Sequence, residues 1–134
     1  MKTKNNKGFT LVELMVTVAI IGALGAIAYP SYTAYTQKGK CADGTGPLMT
    51  IAGRMEEYYL NNDTYVGATV GSPGTVGESQ SPKGLYTLAV ASATKFAYTL
   101  TATPADTAQN TLKLDSLGKK TETGGTTGVA TTCW

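Results

Sequence analysis

Few side chains in this sequence of 134 residues could carry out covalent chemistry. There is no histidine, which excludes histidine-based catalytic triads and most zinc sites. The carboxylates are scattered, the serines and threonines have no neighbouring base, and no glycine-rich phosphate loop follows a strand pattern. We therefore expect neither an enzyme activity nor a metal site nor a bound cofactor.

The two cysteines, Cys41 and Cys133, are the remaining residues with covalent chemistry. They lie far apart in the sequence and lack the C-x-x-C spacing, which disfavours a redox motif or a metal site. An even number of cysteines in a chain with an export signal favours one disulfide in an oxidising compartment. Two free thiols are the alternative.

One charged side chain, Glu13, interrupts the otherwise uncharged residues 9–37. Residues 14–37 would span roughly 36 Å as a helix, enough to cross a hydrocarbon core of about 30 Å. Lysines precede this segment, which predicts a cytoplasmic N-terminus. An ordinary signal peptide is the alternative, but no small-residue cleavage site ends the segment. A carboxylate in a membrane helix costs about 2.5–3.5 kcal/mol, so we expect Glu13 to have a partner.

The motif K-G-F-T-L-V-E-L at residues 7–14 resembles the class III leader of type IV pilins and pseudopilins. The resemblance implies that a membrane prepilin peptidase cuts after Gly8 and methylates the new N-terminal Phe9. It also implies that Glu13 pairs with the Phe9 amine of a neighbouring subunit, because a buried charge is tolerated when it is paired. Pro30 matches a proline of the family, and we expect it to kink or loosen the helix since it lacks a backbone donor.

The remaining helical pattern leads into a globular part. Apolar residues recur at helical spacing and predict a core-facing stripe made of Leu48, Ile51, Ala52, Met55 and Tyr59. Two glycines and a proline at residues 43–47 disfavour one continuous helix, so we expect a kink or short break there. The predicted organisation is a leader at 1–8, a transmembrane and assembly helix at 9–38, and a pilin head at 39–134.

Three strands are predicted after a polar loop at residues 66–84. They cover residues 85–91, 95–103 and 111–116, where period-2 alternation indicates an antiparallel meander with one buried face. Phe96 is expected to point inward with its strand. The fold class is therefore α+β: a pilin fold in which a long helix, half membrane-spanning and half amphipathic, packs on a three- to four-stranded antiparallel β-meander.

The aromatic segment R-M-E-E-Y-Y at residues 54–59 and the terminal Cys133-Trp134 resemble minor pilins of the type IV pilus. Related chains often carry a further cysteine before the third strand, where this chain has Q-N-T at residues 109–111. The resemblance implies a single bridge between Cys41 and Cys133, which would hold the tail on the helix. It also implies that Tyr58, Tyr59 and Tyr65 pack the helix against the sheet with their hydroxyl groups at the surface.

Three functions remain open. The first is a structural subunit of a bacterial type IV pilus that supports adhesion, twitching motility or DNA uptake. It would lie in the inner membrane before assembly and in the extracellular pilus (fimbrium) afterwards. The implied partners are other pilins in a helical homo- or heteropolymer, prepilin peptidase, the inner-membrane assembly platform, the membrane itself, and DNA or a host surface.

The second function is a pseudopilin of type II secretion, which has the same leader and which clustered carboxylates for calcium would favour. The third is a DNA-uptake pilin whose DNA contacts would come from lysines: Lys83, Lys95, Lys113, Lys119 and Lys120. Against the third, residues 9–134 carry eight basic and nine acidic residues (11 minus three lysines, against 9), so solvated surface charge is the favoured interpretation. Major or minor status is left open.

Overall fold

The computed structural model of this chain describes residues 8–71, 73–125 and 132–134. One helix and four strands follow one another in that part of the chain: α1 (Leu11–Asn62), β1 (Tyr86–Ala93), β2 (Tyr98–Pro104), β3 (Asn110–Asp115) and β4 (Lys120–Gly124). The chain divides into two units, Met1–Tyr35 and Thr36–Trp134.

In the first unit, the structure describes the apolar part of α1 and the three residues before it. The helix begins at Leu11, directly after a residue that caps it, and contains an 18-residue window of mean hydropathy 2.3, long and apolar enough to cross a membrane. None of that window is buried within the chain. Among the residues that the structure describes, this part of the helix therefore has no core to pack into.

The second unit is built on an antiparallel meander with strand order β1-β2-β3-β4. Alternate residues of the strands, including Leu88, Leu100 and Leu112, are buried, and they pack against the buried stripe of α1 formed by Leu48 and Met55. The predicted α+β architecture is thus confirmed, and so is the core-facing stripe of the helix.

The expected break at residues 43–47 is wrong, because α1 continues without interruption from Leu11 to Asn62. Tertiary contacts outweigh the poor helix propensity of this segment. A Cβ on Gly44 would lie 2.9 Å from Leu112 and 3.0 Å from the Tyr86 ring, so only glycine allows the helix to approach the sheet this closely. The helix also runs through Pro30, so the expected loosening there does not end it.

One of the strand predictions needs a correction. β2 begins at Tyr98 rather than at residue 95, and Phe96 lies in the preceding turn with 72% of its surface exposed. The fourth strand, β4, agrees with the expected three to four strands, although alternation located only three of them. It is polar (K-T-E-T-G), and none of its residues is buried. Its pairing with β3, from Leu114 opposite Lys120 to Asn110 opposite Gly124, extends the meander.

The polar loop before β1 contributes to the core. Val76 is fully buried and Ala68 nearly so. Two isolated bridges, Val70 with Gly77 and Gln80 with Thr87, give the loop backbone partners of its own. This segment is therefore part of the packed head.

Candidate assembly and ligand-binding sites

The N-terminal end of α1 carries the residues predicted for processing and assembly. Phe9 is 88% exposed. The backbone N–H of Thr10 donates to Glu13 Oε2 (2.9 Å), its hydroxyl donates to the same oxygen (2.8 Å), and the Glu13 N–H donates to Thr10 Oγ1 (3.2 Å). This reciprocal arrangement is a capping box. It satisfies otherwise unpaired donors at the helix start and gives the Glu13 carboxylate a partner within its own chain.

Sequence reasoning missed Thr10, although the signal was present. The spacing T-x-x-E at residues 10–13 directly before an apolar helix is the sequence signature of such a cap. The structure describes Gly8 and Phe9 as the exposed residues preceding the cap. The rest of the predicted leader lies outside the described residues.

The apolar helix presents large side chains in every direction. Exposed fractions range from 52% to 77% across the large apolar and aromatic side chains between Leu14 and Tyr35. Within this stretch the Thr33 hydroxyl donates to the carbonyl of Pro30 (2.9 Å). An exposed apolar surface of this extent is typical of a segment that contacts lipid or another protein.

Cys41 on α1 and Cys133 are joined in a disulfide with their Cα atoms 5.1 Å apart, which is the pairing that the sequence predicted. The bridge spans 92 residues. A loop of that length is worth about 4–5 kcal/mol in the chain-entropy treatment of disulfide stabilisation. The tail is thereby fastened to the helix side of the head.

A carboxylate that sequence reasoning overlooked holds the same tail from the sheet side. Glu122 Oε1 accepts the backbone N–H groups of Cys133 (2.7 Å) and Trp134 (3.2 Å). Its other oxygen accepts Asn110 Nδ2 (2.9 Å), and the indole N–H of Trp134 donates to the Thr121 carbonyl (3.3 Å). Within the sequence, Glu122 gave no signal beyond being a charged residue in a polar tail.

The lysines proposed for DNA contact fall into separate places. Lys95 lies in the β1–β2 turn and Lys119 in the β3–β4 turn, and these turns are at the same end of the sheet because the meander is antiparallel. The Ser116 N–H donates to the carbonyl of Tyr98 (3.0 Å), the first residue of β2, so the β3–β4 turn is bonded to the residue that follows the β1–β2 turn. Lys83 precedes β1 at the opposite end of the sheet, so the structure does not bring it into this group.

The surroundings of the two turns combine charge with exposed apolar surface. Lys95 Nζ lies 5.3 Å from the centroid of the Phe96 ring, and Lys120 Nζ lies 5.0 Å from that of Trp134. Leu117, in the β3–β4 turn, is 91% exposed. This end of the sheet, which we call the hairpin tips (residues 94–97 and 116–119), offers cations and apolar contacts to a ligand.

Asp43 is a buried carboxylate of the head, with 6% of its surface exposed. It accepts a short hydrogen bond from the Ser81 hydroxyl (2.5 Å) and bonds from the backbone N–H groups of Lys83 (3.0 Å) and Leu85 (3.3 Å). These three donors satisfy the carboxylate and fasten the end of the loop to α1. A groove of about 680 Å³ runs alongside, between the helix around Gly46 and the loop around Glu78.

A second carboxylate, Glu56, joins three elements. Its oxygens accept the hydroxyl groups of Tyr65 (2.9 Å) and Tyr98 (3.2 Å). Burial, followed by the hydrogen bond to Glu56, raises the pKa of Tyr65 from 10.0 to about 12. Burial, followed by the Glu56 charge, also raises the pKa of Tyr98. The expectation that the hydroxyl of Tyr65 reaches the surface is corrected, since that side chain is 7% exposed.

The described residues contain no group of three or more histidine, cysteine, aspartate or glutamate side chains placed to hold a metal ion. Three carboxylates of the head accept hydrogen bonds from donors of the chain itself: Asp43, Glu56 and Glu122. Their geometry fits structural roles in holding the loop, the helix end and the tail.

Two known protein families match this chain, one at its N-terminal segment and one over most of the rest. Residues 3–29 match the prokaryotic N-terminal methylation motif, and residues 30–113 match the family described as "Type IV minor pilin ComP, DNA uptake sequence receptor". The second match covers 84 of the 134 residues. The chain belongs to the type IV minor pilin family. The family is a structural one and is not known for catalysis.

Curated relatives are also pilins. The chain is 38% identical over 84 residues to a fimbrial protein of Neisseria meningitidis serogroup B, which covers 63% of this chain and 48% of the relative. It is 39% identical over 80 residues to the type IV major pilin PilE of Neisseria gonorrhoeae, covering 60% and 47%. A fimbrial protein of Dichelobacter nodosus is 37% identical over 83 residues, covering 62% and 51%.

The chain therefore spans about half the length of the curated relatives it matches. The methylation motif, the apolar helix and the family together indicate a protein that is anchored in the membrane and then enters an extracellular pilus. The relatives include major pilins, whereas the matching family is one of minor pilins.

Proposed function

We propose that this chain is a structural subunit of a bacterial type IV pilus and is incorporated through the apolar part of α1. The observation that carries the proposal is the 18-residue apolar window of this helix, of which 0% is buried within the chain. Lipid would cover this surface before assembly, and the helices of other subunits would cover it in the filament.

The proposed division of the chain is a leader at 1–8, an assembly helix at 9–38 and a head at 39–134. Prepilin peptidase would cut after Gly8 and methylate Phe9, which the match to the methylation motif supports. Mass spectrometry of protein from sheared filaments tests this directly. We expect a mature N-terminus at methylated Phe9, and an N-terminus at any other residue would contradict the assignment.

In the proposed filament, Glu13 pairs with the Phe9 amine of a neighbouring subunit. Before assembly, the cap from Thr10 supplies two donors to the carboxylate, which reduces the cost of keeping it in lipid. The new amine would add a full opposite charge, and a charge pair is stronger than a neutral hydrogen bond. Pro30 would give the helix a point without a backbone donor where it can bend during packing.

The proposed partners follow from the same scheme. They are other pilin subunits, prepilin peptidase, the inner-membrane assembly platform and the lipid bilayer that holds the unassembled subunit. Motor ATPases would act through the platform without touching this chain. The family match supports a minor pilin, whose abundance in sheared filaments would be low compared with the major subunit.

The decisive experiment compares Glu13→Ala with Glu57→Ala in a strain that lacks the native gene. Glu57 is an exposed glutamate near the end of α1 in the head and serves as the matched control. We expect both variants to reach the membrane fraction, and only Glu13→Ala to be absent from sheared filaments in immunoblots. Normal incorporation of Glu13→Ala would overturn the role assigned to this carboxylate.

DNA binding during uptake is a second candidate function, and two observations favour it. The family carries the description of a DNA uptake sequence receptor. The hairpin tips also combine exposed Lys95 and Lys119 with exposed Phe96, and such a combination binds phosphates and stacks on bases. Lys120, at the start of β4, would extend the same surface.

Lys119 and Lys120 lie at one end of the sheet and Lys83 lies at the other, which allows a controlled test of DNA binding. In a gel-shift assay over a range of salt concentrations, we expect Lys119→Ala combined with Lys120→Ala to weaken DNA binding and to lower its salt dependence. Lys83→Ala, at the other end of the sheet, is the matched control and should bind as the wild type does. Equal losses in both variants would point to nonspecific charge attraction instead of a site at the hairpin tips.

A further inference from the structure

The segment Cys133-Trp134 is fixed in the head by more than its disulfide. Glu122 Oε1 accepts two successive backbone N–H groups, those of Cys133 (2.7 Å) and Trp134 (3.2 Å). Successive N–H groups that converge on one oxygen form an anion-binding arrangement. Here the bound anion is a side chain of the protein itself.

The Glu122 carboxylate is in turn held in place. Asn110 Nδ2 donates to its second oxygen (2.9 Å), and Asn110 lies on the neighbouring strand, where it pairs with Gly124. The indole N–H of Trp134 bonds to the carbonyl of Thr121, and Lys120 lies over the indole ring. All of these contacts connect the tail to β3 and β4, whereas the disulfide connects it to α1.

We propose that Glu122 is the positioning residue for closure of the Cys41–Cys133 bridge. The carboxylate fixes the backbone of Cys133 itself, whose Cα lies 5.1 Å from that of Cys41. A tail held in this way presents the Cys133 thiol to Cys41 at a raised effective concentration. By linkage, whatever favours docking of the tail favours the bridge to the same extent, and the reverse is also true.

The chemistry of closure balances with a disulfide oxidant such as oxidised glutathione. The thiolate of one cysteine attacks the glutathione disulfide, forms a mixed disulfide and releases one glutathione thiol. The thiolate of the other cysteine then attacks the protein sulfur of the mixed disulfide, which forms the Cys41–Cys133 bond and releases the second glutathione. The protein loses two electrons and two protons, and glutathione disulfide gains them. Glu122 takes no part in the electron transfer and acts only on the geometry of the second attack.

The test measures the thiol–disulfide equilibrium of the full chain in detergent against a series of glutathione redox buffers. Glu122→Gln keeps the shape of the side chain and removes its charge. Because hydrogen bonds to charged groups are worth more than neutral ones, we expect the equilibrium constant for closure to fall at least about tenfold. That change corresponds to a shift of about 30 mV for a two-electron couple.

Two control variants separate positioning from charge and from general stability. Glu57→Gln removes an exposed helix glutamate and should leave the equilibrium constant unchanged. Ile51→Val removes one methyl group from the buried core and lowers the stability of the whole head. It should also leave the constant unchanged, provided that oxidised and reduced forms remain folded by circular dichroism. An equal shift in Ile51→Val and Glu122→Gln would mean that Glu122 acts through overall stability, and the proposal would fail.

A second readout follows from Trp134, the one tryptophan in the sequence. If Glu122 positions the tail independently of the bridge, the indole in the reduced wild type will remain shielded from acrylamide quenching, and Glu122→Gln will lose that shielding. Quenching in the reduced wild type as strong as in urea would show that the bridge alone holds the tail. That result would overturn the proposal even if the equilibrium constants differed.

Discussion

The two parts of α1 are continuous in backbone and opposite in surroundings. Between Leu11 and Tyr35, the large side chains are exposed all around the helix. Beyond residue 35, one stripe that includes Leu48 and Met55 is fully buried against the sheet. The same secondary structure is therefore exposed in one part and packed against the core of the head in the other.

This difference predicts whether a mutation changes filament assembly or the stability of the head. In the proposed filament, a residue of the apolar part contacts lipid or other subunits, so its substitution should affect assembly and leave the stability of the head unchanged. A residue of the buried stripe should have the reverse effect. The same substitution made once in each part of the helix tests this prediction.

The largest effect on stability is expected for Leu48→Ala, which removes a fully buried side chain. Such truncations cost about 2–5 kcal/mol because they leave a cavity. Leu24→Ala is the matched control, since Leu24 is 63% exposed in the apolar part. Thermal unfolding of the full chain in detergent should show a lower midpoint for Leu48→Ala alone. A comparable drop for Leu24→Ala would contradict the division of the helix.

A smaller effect is expected at the glycines of the helix. In Gly44→Ala the new methyl group would meet Leu112 and Tyr86 at 2.9–3.0 Å, and overpacking of this kind costs about 1–3 kcal/mol. Gly46→Ala has nothing within 4 Å of its new Cβ and should stabilise the helix by up to about 1 kcal/mol. Urea unfolding of both variants measures the opposite signs, and two changes of the same sign would refute the close-packing argument.

Asp43→Asn tests the attachment of the loop to the helix. The substitution removes the charge that receives the Ser81, Lys83 and Leu85 donors. A loss of about 1.5 kcal/mol is expected, the lower value for a hydrogen bond to a charged group. Hydrogen exchange should speed up at the amides of Lys83 and Leu85 in this variant. Unchanged exchange there would show that the carboxylate does not hold the loop.

The smallest effect at neutral pH, about 1 kcal/mol for one hydrogen bond, is expected for Tyr65→Phe. The two proteins should differ in how their stability depends on pH in the alkaline range, because the pKa of Tyr65 is raised from 10.0 to about 12 in the folded chain. A raised pKa stabilises the fold fully below pH 10, and this contribution is lost as the pH rises towards 12. The free energy of unfolding should therefore fall over that range, and less steeply in Tyr65→Phe. Parallel curves for the two proteins would show that Tyr65 does not account for the decline.

Local patterns in the sequence were sufficient for several features. The helical stripe around Leu48 and the alternation of β3 follow from periodicity, because the spacing of apolar residues decides which face of an element is buried. The segment 9–37 follows from its length and its apolar character. The bridge between Cys41 and Cys133 followed from their number and from the family resemblance, and the structure contains it.

Features that depend on distant partners could not be predicted in the same way. Gly44 disfavours a helix by propensity, yet the sheet that requires a glycine there begins 42 residues later at Tyr86. Glu56 and Glu122 are charged residues in polar surroundings by sequence, and their hydrogen-bond partners are 9 to 42 residues away. A pattern that extends over a few residues contains no information about such contacts.

The buried Val76 in the loop before β1 has a consequence for proteolysis. A protease must draw an extended stretch of backbone into its cleft, and loops rich in small polar residues are its usual targets. Here Ala68, Val76 and Ser81 anchor the loop in the core, with exposed fractions of 6%, 0% and 4%. Cleavage would require these side chains to leave the core first. The composition of the loop suggests easy digestion, whereas its packing predicts slow cleavage at this loop.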